Sequence, residues 1–290
     1  MISLDVLIAG LATGSIYGLL ALGYHITFVV SNTVNFSLGA TLMFGAVIFY
    51  ELHTRLGIDI LIAVPLVLLM SGLLGIIVER FFVRPFCQNN SVSWLLSTIA
   101  FGIILENIVR FTFGQEPRSI PMPSISEPIR LFNAGIYPIE FIIPAVGISV
   151  ALMLWFLSKK TIVGRALLAA AQNRDAAILQ GINVKKLIIL AYVVSTALAG
   201  LAGMLIAPKL NVSASMGTLI GLKAFAAAII GGILSAPGCL LAGIGYGVFE
   251  SIIAAQLPSA FREILGFGLL IVILIFKPNG LFGKKGVYKV

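Results

Sequence analysis

The sequence has few of the residues that support catalysis or metal binding. Only 10% of its 290 residues are charged, and it has 2 histidines and 2 cysteines. The isolated Cys87 and Cys239 form no CxxC pair and predict no disulfide framework. His25 and His53 lack neighbours at ligand spacing, which argues against a metal site. No GxxxxGK(S/T), HExxH or GxSxG pattern and no nucleophile with a base is visible, so neither ATP hydrolysis nor an intramembrane enzyme is expected from this chain.

Apolar residues dominate what is present. They make up 59% of the chain, and the mean hydropathy is +1.09. Both values exceed those of soluble domains and predict a polytopic helical membrane protein. The net charge of +8 is concentrated at the ends of apolar runs, where membrane orientation explains it better than nucleic-acid binding. The first run lacks a basic n-region and continues to Val30, so we expect a retained span rather than a signal peptide.

Eight apolar runs are long enough to cross about 30 Å of hydrocarbon at roughly 20 residues each. They cover approximately residues 4–30, 33–52, 59–80, 91–112, 137–157, 187–207, 237–257 and 260–277. A ninth, 218–234, is shorter and contains Lys223, and the pattern leaves open whether it spans, tilts or re-enters. We therefore predict an all-α membrane protein with eight or nine membrane helices in one domain, residues 1–290. Its largest outside loop, 113–136, is rich in proline and is either a docking element or a plain connector.

The distribution of basic residues predicts the orientation. With nine spans the N-terminus lies outside and the C-terminus inside. Twelve bases are then inside: Arg80, Arg84, Lys159, Lys160, Arg165, Arg174, Lys185, Lys186, Lys277, Lys284, Lys285 and Lys289. Six are outside: Arg55, Arg110, Arg118, Arg130, Lys209 and Arg262. This bias agrees with the orientation, because cationic loops resist translocation.

Half of the inside bases belong to one polar stretch, residues 158–186, which we call the basic segment. Asp175 is its only acid. Two short helices are predicted in it, the second with Asn173 as N-cap and Gly181 as its C-terminal stop. A compact basic helical element between two spans is typical of a docking surface.

Several glycines recur at helical spacing. Gly10, Gly14 and Gly18 share one face of the first run, and Gly243 and Gly247 repeat the pattern later. Small residues at this spacing predict close helix packing.

Ionisable residues inside apolar runs are costly in hydrocarbon and usually find partners or lie on a pathway. Lys223 and Glu250 are predicted at similar depth, so they are candidates for an intramembrane ion pair. Glu106 and Arg110 are spaced i,i+4 and are expected to pair along their helix. For both sets, structural pairing and contact with a transported solute remain open.

A polar start to the second run, around Asn35, predicts either irregular backbone beside a transport path or a plain capped turn. We predict a narrow, half-polar path where the first two runs meet. A bulky residue at Ser37 or Gly39 is expected to block this path without preventing assembly. The predicted lining residues are Ser15, Tyr17, Asn35, Ser37 and Gly39.

Five blocks spread along the chain resemble one family. They are Gly10–Gly23, Asn35–Gly39, Gly164–Val184, Ala199–Gly203 and Lys223–Gly232. In this order they resemble permease subunits of branched-chain amino-acid ABC importers. In the Asn35 block the family commonly has His followed by Gly and an acid, where this chain has Leu38, Gly39 and Ala40. The solute class therefore extends to related amino acids and small organic solutes.

The resemblance implies an alternating-access permease in a bacterial inner membrane. Its implied partners are a second related permease, two cytoplasmic ATPases that bind ATP and Mg, a periplasmic binding protein and membrane lipid, with no nucleic acid. The basic segment corresponds to the family's coupling loop, so we expect Arg165, Arg174, Asp175 and Gly181 to shape the ATPase contact. The alternative is a stand-alone secondary transporter or channel. The basic segment and the lack of a carboxylate relay argue against it.

Overall fold

The computed structural model describes residues 3–87, 92–122, 129–131 and 134–283. Lys284, Lys285 and Lys289, part of the predicted outside loop and its Pro123 and Pro128 lie outside the described residues. The α-helices are α1 (Leu4–Ser31), α2 (Leu38–Phe49), α3 (Ile60–Ile77), α4 (Ser93–Phe113), α5 (Ile139–Lys160), α6 (Ile162–Gln172), α7 (Arg174–Leu179), α8 (Val184–Ile206), α9 (Met216–Gly231), α10 (Ala236–Gln256) and α11 (Ser259–Phe276). Strands β1 (Ile129–Leu131) and β2 (Ala134–Ile136) form a small antiparallel hairpin.

Two helices continue beyond their α-helical part. A π-helical segment, Tyr50–Arg55, extends α2, and Val78–Val83 extends α3 before a 3-10 turn at Arg84–Phe86. Within the described residues, 6 helices are long and apolar enough to cross a membrane: α1, α3 with its continuation to Phe86, α4, α5, α8 and α10. The shorter α2, α9 and α11 complete the bundle. The prediction of an all-α polytopic membrane protein is confirmed.

The short helix α9 runs from one end of the bundle to the other. We call the end at which α1 begins the outer end, following the charge bias. Near the start of α9, Thr218 donates a hydrogen bond to Glu106, close to the outer end of α4 (3.0 Å). Just after α9, the carbonyl of Ile233 lies 2.7 Å from Nδ1 of His25, near the inner end of α1. Its 16 residues span about 24 Å at 1.5 Å per residue, so α9 is long enough to cross most of the roughly 30 Å of hydrocarbon.

Glycines bring α1 and α10 together. A Cβ on Gly10 would lie 2.8 Å from Val248 Cα, and one on Gly14 would lie 2.7 Å from Ile244 Cα. In return, Gly243 and Gly247 of α10 lie against the backbone of α1. These contacts confirm the predicted glycine packing, in which backbones approach closely because no side chain separates them.

The helices form a central and a peripheral group. In the most apolar windows of α1 and α8, 72% of the residues are buried, whereas the values are 22% for α4 and 11% for α5. The central helices therefore form the core of the chain. The outward faces of α4 and α5 carry exposed apolar side chains, among them Ile104, Phe111, Leu152 and Phe156. Such faces suit contact with lipid or other membrane helices.

The chain between α1 and α2 is irregular and, after the exposed Asn32, mostly buried. Asn32 adopts a left-handed conformation (φ 55°) and ends α1. The backbone N–H of Phe36 donates to Oγ1 of Thr98 in α4 (3.3 Å), and that of Ser37 donates to Oδ1 of Asn35 (3.1 Å). Side chains thus satisfy backbone groups that no helix bonds here, as irregular backbone inside a membrane protein requires. The predicted second span accordingly begins its helix at Leu38 rather than near residue 33.

Candidate functional site

A carboxylate on α10 organises a buried cluster of charges. Lys223 of α9 donates a hydrogen bond from Nζ to Oε1 of Glu250. The Tyr17 hydroxyl on α1 donates to Oε2 of Glu250 (2.6 Å). The side chains of Lys223 and Glu250 are only 5% and 1% exposed. The structure therefore brings together the two ionisable residues predicted at similar depth and adds Tyr17 as a third member.

Arg262 of α11 is the fourth member of this Glu250 cluster. Its Nε lies 2.7 Å from Oε1 of Glu250, but the N–H makes no directed hydrogen bond. The Arg262 side chain is 37% exposed, so it lies at the edge of the cluster and reaches open space. Two cations thus share one carboxylate oxygen.

The close contact of α1 with α10 positions the cluster. Gly14 of α1 packs against Gly247 of α10, and Gly18 packs against Gly243. Tyr17 lies between the two glycines of α1, and its hydroxyl reaches Glu250, one turn beyond Gly247 along α10. Removal of charged groups from water is costly unless they are paired and hydrogen-bonded. The cluster meets that requirement for Glu250, which accepts from both Tyr17 and Lys223.

A cavity of about 700 Å³ adjoins the Glu250 cluster at the outer end. Apolar side chains from α1, α8 and α9 form much of its wall, among them Val6, Ile206 and Leu219. Its ionisable lining groups in the described part of the chain are Lys209, Lys223, Arg262 and Tyr17, with no aspartate or glutamate among them. Lys209 pairs with Glu140 of α5 (2.8 Å). The cavity is therefore amphipathic, with its charges all positive.

The five predicted path residues do not line this cavity together. Tyr17 does, and Ser15, Asn35, Ser37 and Gly39 are not among its lining residues. Ser15 donates to the carbonyl of Leu11 (2.8 Å) and faces α5. The five residues therefore do not all meet at this cavity, because α1 turns Ser15 towards α5 and Tyr17 towards α10.

Asn35 and Ser37 form a local buried pair. Oδ1 of Asn35 accepts from the Ser37 hydroxyl (2.6 Å), while Asn35 Nδ2 is buried without a hydrogen-bond partner among the described residues. Gly39 packs against the backbone of α9, where an added Cβ would lie 3.2 Å from Gly221 Cα. These residues thus occupy a tight contact between α2, α4 and α9. Their role in a solute path stays a prediction.

At the outer end of α4, Arg110 pairs with Glu106 (2.8 Å) as the i,i+4 spacing predicted. Glu106 also accepts the hydrogen bond from Thr218 that ties α4 to α9. The pair therefore has a structural role between two helices, and no lining residue of the outer cavity belongs to it.

The basic segment forms the predicted pair of short helices. Oγ1 of Thr161 caps α6 by accepting from Gly164 N (3.0 Å), and Oδ1 of Asn173 caps α7 by accepting from Ala176 N (3.0 Å). Gly181 has φ +82° and follows the end of α7. The predicted N-cap and left-handed stop are confirmed as local structure.

The bases of the segment have no acidic partner among the described residues. No ion pair in the described part of the chain involves Arg165, Arg174, Asp175 or the segment's lysines. Lys159 lies over the Trp155 ring, 4.6 Å from its centroid. Arg174 lies near Cys87, just beyond the 3-10 turn after α3, where partial desolvation raises the pKa of the exposed residue's thiol and the Arg174 charge opposes the rise. The segment thus presents unpaired positive charge beside the inner end of α3.

Sequence reasoning missed Arg262 and Lys209 on the wall of the outer cavity, and Tyr246 beside the Glu250 cluster. The sequence places both Arg262 and Lys209 among the outside bases. Lys209 lies just beyond the apolar run 187–207, and Arg262 lies just inside the run 260–277. Tyr246 packs edge-on against Tyr17, with ring centroids 5.8 Å apart. Its position four residues before Glu250, on the same helix face, was a signal for proximity.

The chain forms a bundle of membrane helices whose buried charges are paired with one another. It also has an amphipathic outer cavity and, at the inner end, a basic segment without acidic partners among the described residues. This combination is the architecture of a membrane permease. Residues 6–274 match the family described as branched-chain amino acid transport system / permease component. The chain belongs to this family. It is a multi-pass membrane protein of a transporter complex.

Curated relatives match along almost the full length. The chain is 33% identical to the high-affinity branched-chain amino acid transport system permease protein BraD of Pseudomonas aeruginosa, covering 99% of this chain and 98% of that protein. It is 31% identical to the corresponding protein LivH of Escherichia coli, covering 97% and 96%. A probable branched-chain amino acid transport permease protein LivH of Methanocaldococcus jannaschii is 29% identical, covering 91% and 88%. These relatives are transport permeases rather than enzymes.

Proposed function

We propose that this chain is the membrane-spanning permease subunit of an ABC importer in a bacterial inner membrane. It translocates branched-chain amino acids or related small organic solutes by alternating access. The observation that carries the proposal is the match to BraD and LivH along nearly the whole of each chain. A stand-alone transporter or channel is disfavoured, because the relatives are permease components of transport systems.

The proposed complex contains a second related permease, two cytoplasmic ATPases and a periplasmic binding protein. ATP and Mg bind the ATPases, since this sequence has no phosphate-binding loop. The basic segment supports an ATPase contact at the inner end. Its capped helices α6 and α7 form a compact element with exposed Leu179 (88%) and unpaired bases, a combination of apolar anchor and charge that suits a protein surface.

Reconstitution tests the proposal. The chain is expressed with the subunits encoded beside it, purified through a tag on this chain alone, and placed in proteoliposomes with the cognate binding protein. We expect an ATPase to co-purify and leucine uptake to require both ATP and the binding protein. Uptake driven by an ion gradient without an ATPase would support the stand-alone alternative instead.

The solute is tested separately through the binding protein. Calorimetric titration with leucine, isoleucine and valine is expected to show binding, and lysine and glutamate serve as charged controls. Binding of a different solute class with retained ATP-dependent uptake would leave the importer assignment in place and replace the proposed cargo.

A further inference from the structure

The outer cavity combines features of a binding site for an amphiphilic anion. Its wall carries Lys209, Lys223 and Arg262 among apolar side chains. Two carboxylates, Glu140 and Glu250, pair with these three cations. The set therefore has one surplus positive charge, which faces a space of about 700 Å³.

Arg262 is the cation with spare capacity. Lys223 is buried and bonded to Glu250, and Lys209 is bonded to Glu140. Arg262 touches Glu250 only through Nε, and no hydrogen bond of its terminal guanidinium nitrogens is found among the described residues. A guanidinium presents donors in a fork that matches a carboxylate. Glu263, the next residue along α11, is exposed and does not line the cavity, so solvent screens its charge.

We propose that this cavity is a carboxylate-binding site, in which Arg262 receives the carboxylate of the solute while Lys223 and Lys209 stay paired with Glu250 and Glu140. The inference rests on the proposed function, because it treats the anion as the cargo. Apolar Ile206, Leu219 and Ile220 line the same space and suit an aliphatic side chain. Cationic solutes without a carboxylate are excluded by the lining charge.

Cysteine labelling measures this charge without any transport assay. Ser215→Cys places a thiol on the cavity wall at an exposed position whose hydroxyl makes no capping hydrogen bond. Gln256→Cys is the control, since Gln256 at the end of α10 is also exposed and does not line the cavity. Both are made with Cys87→Ser, because Cys87 is exposed, while the buried Cys239 is retained.

The reaction rates of an anionic and a cationic methanethiosulfonate reagent are compared in the full chain with its co-purified subunits. At Ser215→Cys we expect the anionic reagent to be favoured about fivefold relative to Gln256→Cys, as one surplus charge at short range in a partly screened site predicts. Adding Arg262→Gln is expected to abolish the preference, and Arg262→Lys to retain it. Equal ratios at the two cysteines, or a preference that survives Arg262→Gln, would overturn the proposal.

Competition identifies the anion. 4-Methylpentanoate, which has a carboxylate and the leucine side chain, is expected to slow labelling of Ser215→Cys at millimolar concentration, whereas 3-methylbutylamine is not. Equal protection by both compounds would contradict carboxylate recognition. A lipid phosphate is the other source of an anion: if the preference is absent in phosphatidylcholine nanodiscs and present in detergent, lipid occupies the site and the solute assignment fails.

Transport then separates this inference from the proposed function. If wild-type proteoliposomes take up leucine with ATP but Arg262→Gln and Arg110→Gln behave alike, the permease function stands and the carboxylate site fails. If Arg262→Gln instead raises the binding-protein concentration needed for half-maximal ATPase stimulation, with uptake per ATP unchanged, Arg262 contacts the binding protein and the proposal is overturned.

Discussion

Positive charges in the Glu250 cluster have an acidic partner, whereas those of the basic segment have none among the described residues. Inside the bundle, Lys223 and Arg262 both lie against one carboxylate, and Tyr17 completes its hydrogen bonding. At the inner end, the bases of the segment have no acidic partner in the described part of the chain. A buried charge must be paired within the chain because hydrocarbon offers no solvation, while an exposed charge remains available for another molecule. The pairing pattern thus separates the fully buried charges of Lys223 and Glu250, which hold the bundle together, from exposed charges that suit recognition, among them the outer end of Arg262.

The largest expected effect comes from removing the shared carboxylate. Glu250→Gln leaves two cations without their acid, and breaking a buried pair costs about 3–5 kcal/mol. Lys223→Met is expected to cost less, because Arg262 and Tyr17 still neutralise and bond Glu250. Yield of monodisperse protein and thermal stability in detergent measure both changes.

The double variant tests whether the two residues act as a pair. Lys223→Met with Glu250→Gln leaves only Arg262 charged, and Arg262 is partly exposed, so stability should recover relative to Glu250→Gln alone. Losses that simply add would show that Lys223 and Glu250 do not depend on each other.

The next effect concerns Gly39, which sequence analysis assigned to the path. A Cβ there would lie 3.1 Å from the carbonyl carbon of Gly217 and closer still to its oxygen, so Gly39→Val should cost about 1–3 kcal/mol through overpacking. Gly245→Val is the control, since a Cβ at that position meets no atom within 4 Å. Thermal stability distinguishes the two. If only Gly39→Val is destabilised, its loss of uptake would result from disrupted helix packing and not from a blocked path. That result would contradict the expectation that the complex still assembles.

Helix positions were largely predictable, and tertiary partners were not. The run 237–257 matches α10 within one residue, because length and composition alone make a membrane helix. The start of α2 was missed, because the Asn35 region is held irregular by Thr98, which is distant in sequence. Likewise, their similar predicted depth suggested that Lys223 and Glu250 pair. Arg262 joins them only because α11 packs beside α10, and no local sequence pattern predicts that packing.

A moderate effect is expected at the end of α7. Gly181 has φ +82°, and an added Cβ would touch nothing within 4 Å, so a substitution there acts only through the backbone. Gly181→Val should strain the left-handed residue by about 1–2 kcal/mol, whereas Gly181→Asn is tolerated. If α7 transmits ATPase motion, solute transported per ATP falls in the valine variant, while insertion and ATP hydrolysis persist. Unchanged coupling in Gly181→Val would exclude a lever that depends on this stop.

The smallest effect concerns two Arg–Glu pairs that have the same chemistry and differ in burial. Arg55 pairs with Glu51 (2.9 Å) with its side chain 69% exposed, while Arg84 pairs with Glu79 (2.8 Å), whose side chain is only 4% exposed. Arg55→Gln should change stability by less than about 1 kcal/mol, since exposed pairs contribute little and are screened by salt. Arg84→Gln should cost more, because it removes two hydrogen bonds from the buried Glu79 carboxylate. Melting temperatures in detergent at low and high salt measure both. Equal shifts for the two variants would mean that burial does not decide what a charge pair contributes to stability in this bundle. The Glu250 cluster and the basic segment would then differ only in where their charges lie and with what they pair.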